Sequence, residues 1–207
     1  MAALDLRPMK KIFFLILILS SSGFSQSPKK LVILGDSLTE GLGVAKDSAF
    51  PHLLELKLNT LGPAWQVINA GVSGSTTASA LSRLRWHLKS NPNDVLIILG
   101  ANDGLRGLKT EQSEKNLSAA IEFAQKENVK VLLGGLYMPP NYGKDYTDKF
   151  KVMYSQLAKK YKLLLVPFIL DKVAGDPKLN QPDGLHPNEQ GHKIIAETIY
   201  QSIKGQL

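Results

Sequence analysis

Ser37 stands where an apolar run gives out. Leu31-Val32-Ile33-Leu34 reads as a buried strand, and Gly35-Asp36-Ser37-Leu38 follows it. In an open α/β sheet, ligands bind at the carboxyl ends of the strands, so a serine here is placed to react. A Ser or Asp at a strand-to-helix junction also serves simply to cap the helix. The far end of the chain separates the two readings. Asp183-Gly184-Leu185-His186-Pro187 offers a carboxylate and an imidazole three residues apart. A serine hydroxyl is a weak nucleophile and needs a base within hydrogen-bond reach. His186 can take the Ser37 proton and pass it to a leaving group. Asp183 can hold the imidazole in the needed tautomer and stabilise its cation. Ser, Asp and His in that chain order are the parts of a nucleophilic hydrolase.

Acyl transfer also needs donors for a tetrahedral oxyanion. The Ser37 backbone N–H is one. Two further motifs follow later apolar runs: Asn69-Ala70-Gly71-Val72-Ser73-Gly74 and Gly100-Ala101-Asn102-Asp103-Gly104. Gly74 reads as opening a helix, where glycine lets backbone approach closely. Asn102 offers a side-chain amide. Taken singly, both motifs are also turn signals. Asp36, Asp103, Asp183 and His186 could hold a hard cation only by converging, which would leave Ser37 and Asn102 without a purpose. His52, His87 and His192 sit in helical patterns with no neighbouring motif and read as surface or packing residues.

These residues must be brought together by the elements between them. Strand candidates are 31–34, 66–69, 95–99, 129–133 and 163–167, and amphipathic helices fall at 50–61, 76–89, 112–126, 148–160 and 188–203. Strict alternation argues for a parallel sheet covered on both faces. Right-handed crossovers then give a three-layer α/β/α sandwich around a five-stranded sheet. All three loops that follow the first three strands emerge on one edge of such a sheet. The irregular stretch 136–146 leaves the fourth strand on that same edge. Its Tyr137, Met138, Pro139 and Tyr142 are apolar and aromatic, and they are expected to line the path of an apolar ligand.

The chain has 207 residues, 43% of them hydrophobic and 21% charged, which are globular values for one sizeable domain. Its first 25 residues read as a secretory signal peptide: Lys10-Lys11, a short apolar run from Ile12 to Leu19, then Ser20-Ser21-Ser22-Gly23-Phe24-Ser25. Cleavage is expected after Ser25, leaving residues 26–207 as one domain in the periplasm or outside the cell. An uncleaved anchor is the rival reading, and Met9 competes with Met1 as the start. Arg7, Lys10 and Lys11 against Asp5 place +2 of the formal +7 in the leader, leaving +5 on the mature chain. The remaining lysines are scattered, with no basic block interleaved with aromatics. Nucleic acid is therefore not an expected partner, and weak contact with an anionic membrane surface is. There are no cysteines, which excludes disulfides, a cysteine nucleophile and thiolate metal sites.

With four motifs in order, the chain resembles the SGNH (GDSL) hydrolases over nearly all of its mature length. Gly35-Asp36-Ser37-Leu38 matches the first family block, Gly74 the second, Asn102 the third and Asp183–His186 the last. Further echoes of a bacterial periplasmic thioesterase/lysophospholipase/arylesterase branch are Asn102-Asp103-Gly104-Leu105-Arg106-Gly107, Pro140-Asn141-Tyr142-Gly143 and Pro167-Phe168. The resemblance implies a flavodoxin-like sandwich, no metal or organic cofactor, and broad acyl substrates: esters, thioesters and lysophospholipids; a monomer is the expected state. Two alternatives stay open at this point. One is a carbohydrate O-acetylesterase of the same fold, which would want a polar groove. The other is a lipid- or nucleotide-binding module built on residues 35–43, which leaves Asp183 and His186 unexplained.

Overall fold

The computed structural model describes residues 27–60 and 64–206. The signal-peptide segment, the cleavage site and Leu61 lie outside the described residues. Five strands form one parallel sheet in the order β2-β1-β3-β4-β5. They are β1 (Lys29–Gly35), β2 (Trp65–Gly71), β3 (Asp94–Ile98), β4 (Lys130–Gly134) and β5 (Leu164–Val166). Each contains or overlaps an apolar run read from the sequence. Leu31–Leu34 of β1 and Val95–Ile98 of β3 are fully buried, as a central strand covered on both faces requires.

Helices cover both faces. α2 (Phe50–Leu58) and α7 (Glu189–Ile203) pack together on one side. α3 (Ala80–His87), α5 (Thr110–Lys126) and α6 (Lys144–Tyr161) line the other. This follows from right-handed crossovers. The link from β1 to β2 moves one way along the sheet, and the later links move the other way. β1 and β3, adjacent in the sheet, therefore send their onward chains to opposite faces. A crevice opens between their carboxyl ends.

Two short helices occupy the two lips of that crevice: α1 (Ser37–Glu40) and α4 (Ala101–Leu105). Neither is visible in the sequence, because four or five residues are too few to show a helical period. Two further expectations are corrected. The helix expected over 76–89 begins as a 3-10 turn, Thr77–Ser79, so Gly74 lies in the preceding loop and opens no helix. The helix expected from residue 148 starts one turn earlier, at Lys144, where Lys144–Asp148 and Lys149–Asp145 pair at i,i+4 spacing. Tyr146 is therefore helical, and the irregular stretch ends at Gly143. Pro139 and Pro140 do keep the helix from starting sooner.

The C-terminal helix is tied back to the beginning of the fold by a histidine. His192 is buried, stacks on Phe50 at 6.0 Å, and its Nδ1 accepts from the Phe50 N–H at 3.2 Å. That bond requires a neutral ring, and burial pushes the His192 pKa down to about 4. Between pH 6.5 and 4 the unfolded chain takes up a proton that the folded chain refuses. The stability His192 contributes is therefore complete above pH 6.5 and is lost as pH falls toward 4, by about 3 kcal/mol. Buried Asp36, raised to about 6, acts in the opposite sense between pH 6 and 3.8, so the check is a difference. In urea unfolding, the stability gap between wild type and His192→Asn should narrow as pH drops from 6.5 to 4. A gap independent of pH would contradict the neutral buried ring.

Candidate active site

β1 ends at Gly35, level with Gly71 of β2 and Ile98 of β3. The next two residues turn the chain sharply. Asp36 caps α1, its Oδ1 accepting from the Leu38 N–H at 3.0 Å, and Ser37 is the first helical residue. Ser37 is mostly buried, and His186 Nε2 lies 3.0 Å from its Oγ. His186 Nδ1 is 2.7 Å from Asp183 Oδ2. The other Asp183 oxygen accepts the Leu185 and His186 N–H groups at 2.9 and 3.0 Å. The His186 backbone N–H and imidazole, then the Leu185 N–H, hold the Asp183 pKa down to about 2. Asp183 is thus ionised at neutral pH. An antiparallel bridge, Asn180 to Pro187, and the Gln181 N–H to His186 carbonyl bond at 2.8 Å brace the loop that presents His186.

Of the expected oxyanion donors, the Ser37 N–H and Asn102 belong to the same cleft, and Gly74 stands next to Ser75, which Asn102 contacts. Asn102, near the start of α4, sends its amide to Asp36 Oδ2 at 3.3 Å and to the Ser75 carbonyl at 3.1 Å. Gly74 sits on the exposed 72–76 loop with φ of 75°, a conformation that favours glycine. Its carbonyl accepts from Arg106 Nη2 at 3.1 Å. Asp36 is fully buried, and burial raises its pKa to about 6, against the lowering pull of the Leu38 N–H and Asn102.

A cleft of about 580 Å3 opens beside Ser37 and His186, walled by Leu105, Met138, Pro139, Phe168, Leu170 and Leu185 among others. Tyr137 also lines it, stacked on Phe168 at 4.2 Å. Tyr142 is a correction. It is absent from the wall, because its hydroxyl donates to the Leu105 carbonyl at 2.9 Å and its ring stacks toward Tyr146 at 6.4 Å. The sequence reading missed Leu105, Phe168, Leu170 and Leu185. Phe168 and Leu185 stand within motifs already singled out, and Leu105 lies three residues past Asn102. Leu170 gives no sequence signal. Among the described residues no three His, Asp or Glu side chains converge as a metal site would need.

Residues 33–194 match the GDSL-like Lipase/Acylhydrolase family. The chain belongs to this family. An arylesterase of Vibrio mimicus is 38% identical over 200 residues, covering 96% of this chain and all of that protein. The thioesterase 1/protease 1/lysophospholipase L1 of Escherichia coli K12 is 37% identical, covering 84% of this chain and 83% of that protein. The crystal structure of the psychrotrophic esterase EstA from Pseudoalteromonas sp., inhibited by monoethylphosphonate, superposes with a TM-score of 0.81 at 36% identity, covering 86% of this chain and 97% of that one. The present chain is an ester hydrolase with the α/β fold of these SGNH proteins.

Gly104 bears directly on the cleft. A Cβ built there would land on the Met138 sulfur, the end of a flexible side chain. Gly104→Ala should therefore push the Met138 thioether into the cleft and shorten it. The expected outcome is a loss in kcat/KM for long-chain p-nitrophenyl esters with little change for the acetyl ester. An unchanged chain-length profile would place the acyl chain elsewhere.

Proposed function

We propose that the protein cleaves fatty-acyl esters and thioesters, of the arylesterase, lysophospholipase and acyl-CoA thioesterase type, through an acyl-enzyme on Ser37. The observation behind this reading is the continuous chain of contacts from Ser37 Oγ through both His186 nitrogens to Asp183, at 3.0 and 2.7 Å. In the first half-reaction His186 Nε2 takes the hydroxyl proton as Ser37 Oγ bonds to the acyl carbonyl carbon. The carbonyl oxygen gains the charge and is held by the Ser37 N–H, the Gly74 N–H and the Asn102 amide. Of the two Asn102 bonds, the longer one to Asp36 is the one a developing oxyanion takes over. The C–O or C–S bond then breaks, and the imidazolium protonates the leaving alcohol or thiol. In the second half-reaction a water, deprotonated by His186, attacks the acyl-serine. Ser37 recovers its proton and the carboxylic acid departs.

The apolar wall supports a hydrocarbon acyl group. Met138, Pro139 and Tyr137 lie along the acyl path, and each methylene buried there is worth roughly 0.8 kcal/mol. A carbohydrate ester would find few polar partners along Leu105, Phe168, Leu170 and Leu185. The reading places the enzyme as a monomer in the periplasm or medium, released from its signal peptide after Ser25. Residues 26–207 then form one catalytic domain in weak contact with anionic membrane surfaces. Among the described residues no helix is long and apolar enough to cross a membrane.

A serine-directed fluorophosphonate tests the nucleophile. Intact mass should show a single adduct on the wild type and none on Ser37→Ala, with p-nitrophenyl ester hydrolysis abolished in the variant. A folded wild type that takes no label would refute the serine mechanism. Asn102→Ala should lower kcat by about 10²–10³-fold with a much smaller change in KM, as loss of one oxyanion donor does. An unchanged kcat would return Asn102 to a turn residue.

A further inference from the structure

α4 and Arg106, the residue after it, grip the segment after β2 at three points. Asn102 donates to the Ser75 carbonyl at 3.1 Å, and Arg106 donates to the Gly74 carbonyl at 3.1 Å. Between them, Asp103 accepts from the Thr77 N–H at 2.9 Å and from the Thr77 hydroxyl at 2.5 Å. The middle contact is of a different kind. Asp103 is 2% exposed, and its carboxylate takes a third bond from Ser113 Oγ of α5 at 3.0 Å. Asn116 Nδ2, also of α5, donates to the Thr77 hydroxyl at 3.0 Å. A buried carboxylate with this many donors is a rigid joint between three pieces of chain.

We propose that Asp103 is a positioning residue for ester hydrolysis. It locks the 74–77 segment onto α4, so that the Gly74 N–H and the Asn102 amide stay aimed at one point beside Ser37. The proposal rests on the reading of Gly74 and Asn102 as oxyanion donors. Asp103 does not line the cleft and touches no substrate. Its effect comes through the two donors. Gly74 is exposed and carries no side chain to fix it, and α4 has only five residues, too few to be rigid on its own. Oxyanion donors are effective because they are arranged before charge develops. A displacement of about 1 Å costs on the order of 10²-fold in rate. Ser113 separates positioning from mere stability. Its bond to Asp103 leads to α5 and away from the donor segment.

The experiment compares Asp103→Asn, Thr77→Val, Thr77→Ser and Ser113→Ala in the whole mature enzyme. It reads kcat and KM on p-nitrophenyl butyrate, melting temperature, and inhibition by an alkyl trifluoromethyl ketone. The ketone's adduct on serine places an oxyanion among the donors. Asp103→Asn and Thr77→Val should lower kcat by about 10–10²-fold with KM within about twofold, and weaken ketone inhibition by a similar factor. Thr77→Ser should restore both, and Ser113→Ala should lower the melting temperature while sparing kcat and ketone affinity. A folded Asp103→Asn with wild-type kcat would overturn the proposal. So would kcat losses that merely track melting temperature across all four variants. If Asp103→Asn fails to fold, the Thr77 pair decides: wild-type kcat in Thr77→Val overturns the proposal. A wild type that neither hydrolyses the ester nor takes a fluorophosphonate would overturn the serine-hydrolase reading itself, and this proposal with it.

Discussion

The site depends on one topological constraint, the reversal of strand order between β1 and β3. Parallel strands joined by right-handed crossovers must send neighbouring connections to opposite faces wherever the winding changes direction. That divergence leaves room between two carboxyl ends for side chains from both. Ser37 enters from the β1 side and Asn102 from the β3 side, with Asp36 beneath them accepting the Asn102 amide. The last loop then lowers His186 onto Ser37 from the α7 side. No residue has to reach far, because chain direction has already placed the loops on one edge.

Two aspartates beside Ser37 and His186 show how environment divides one side-chain type into different tasks. Asp183 is nearly half exposed, yet its pKa falls to about 2 because two backbone N–H groups and the imidazole all donate to it. Asp36 is fully buried, and desolvation drives its pKa to about 6 despite its own donors. The partly solvated carboxylate is the one facing the imidazole, where a standing charge is useful. The buried one caps the helix that carries Ser37 and steadies Asn102. Removing water is costly for an anion, so the buried Asp36 takes up a proton at a higher pH than the solvated Asp183 does.

Much of this was legible in the sequence. Among the described residues, apolar runs alternating with helical periods locate all five strands and five of the seven α-helices. Ser37, Asn102, Asp183 and His186 are legible because each sits in a compact local motif. What escaped has definite physical causes. α1 and α4 are shorter than the period that would reveal them. The inward or outward face of a loop has no sequence signature, so Tyr137 and Tyr142 looked alike, although one lines the cleft and the other props up Leu105. Asp103 read as a turn residue because its partners, Thr77 and Ser113, lie 26 and 10 residues away. Packing between segments decides such roles.

The link between His192 and Phe50 ties α7 to α2 across 142 residues, and the contact of Ser37 with His186 spans 149. Ser37 is made near one end of the chain and His186 near the other. Until the loop before the last helix docks, Ser37 has no imidazole beside it. A chain still being synthesised therefore lacks the Ser37–His186 pair. The pairing of these two side chains arrives in the same step as the completed fold, and the long separation acts as an internal safety catch.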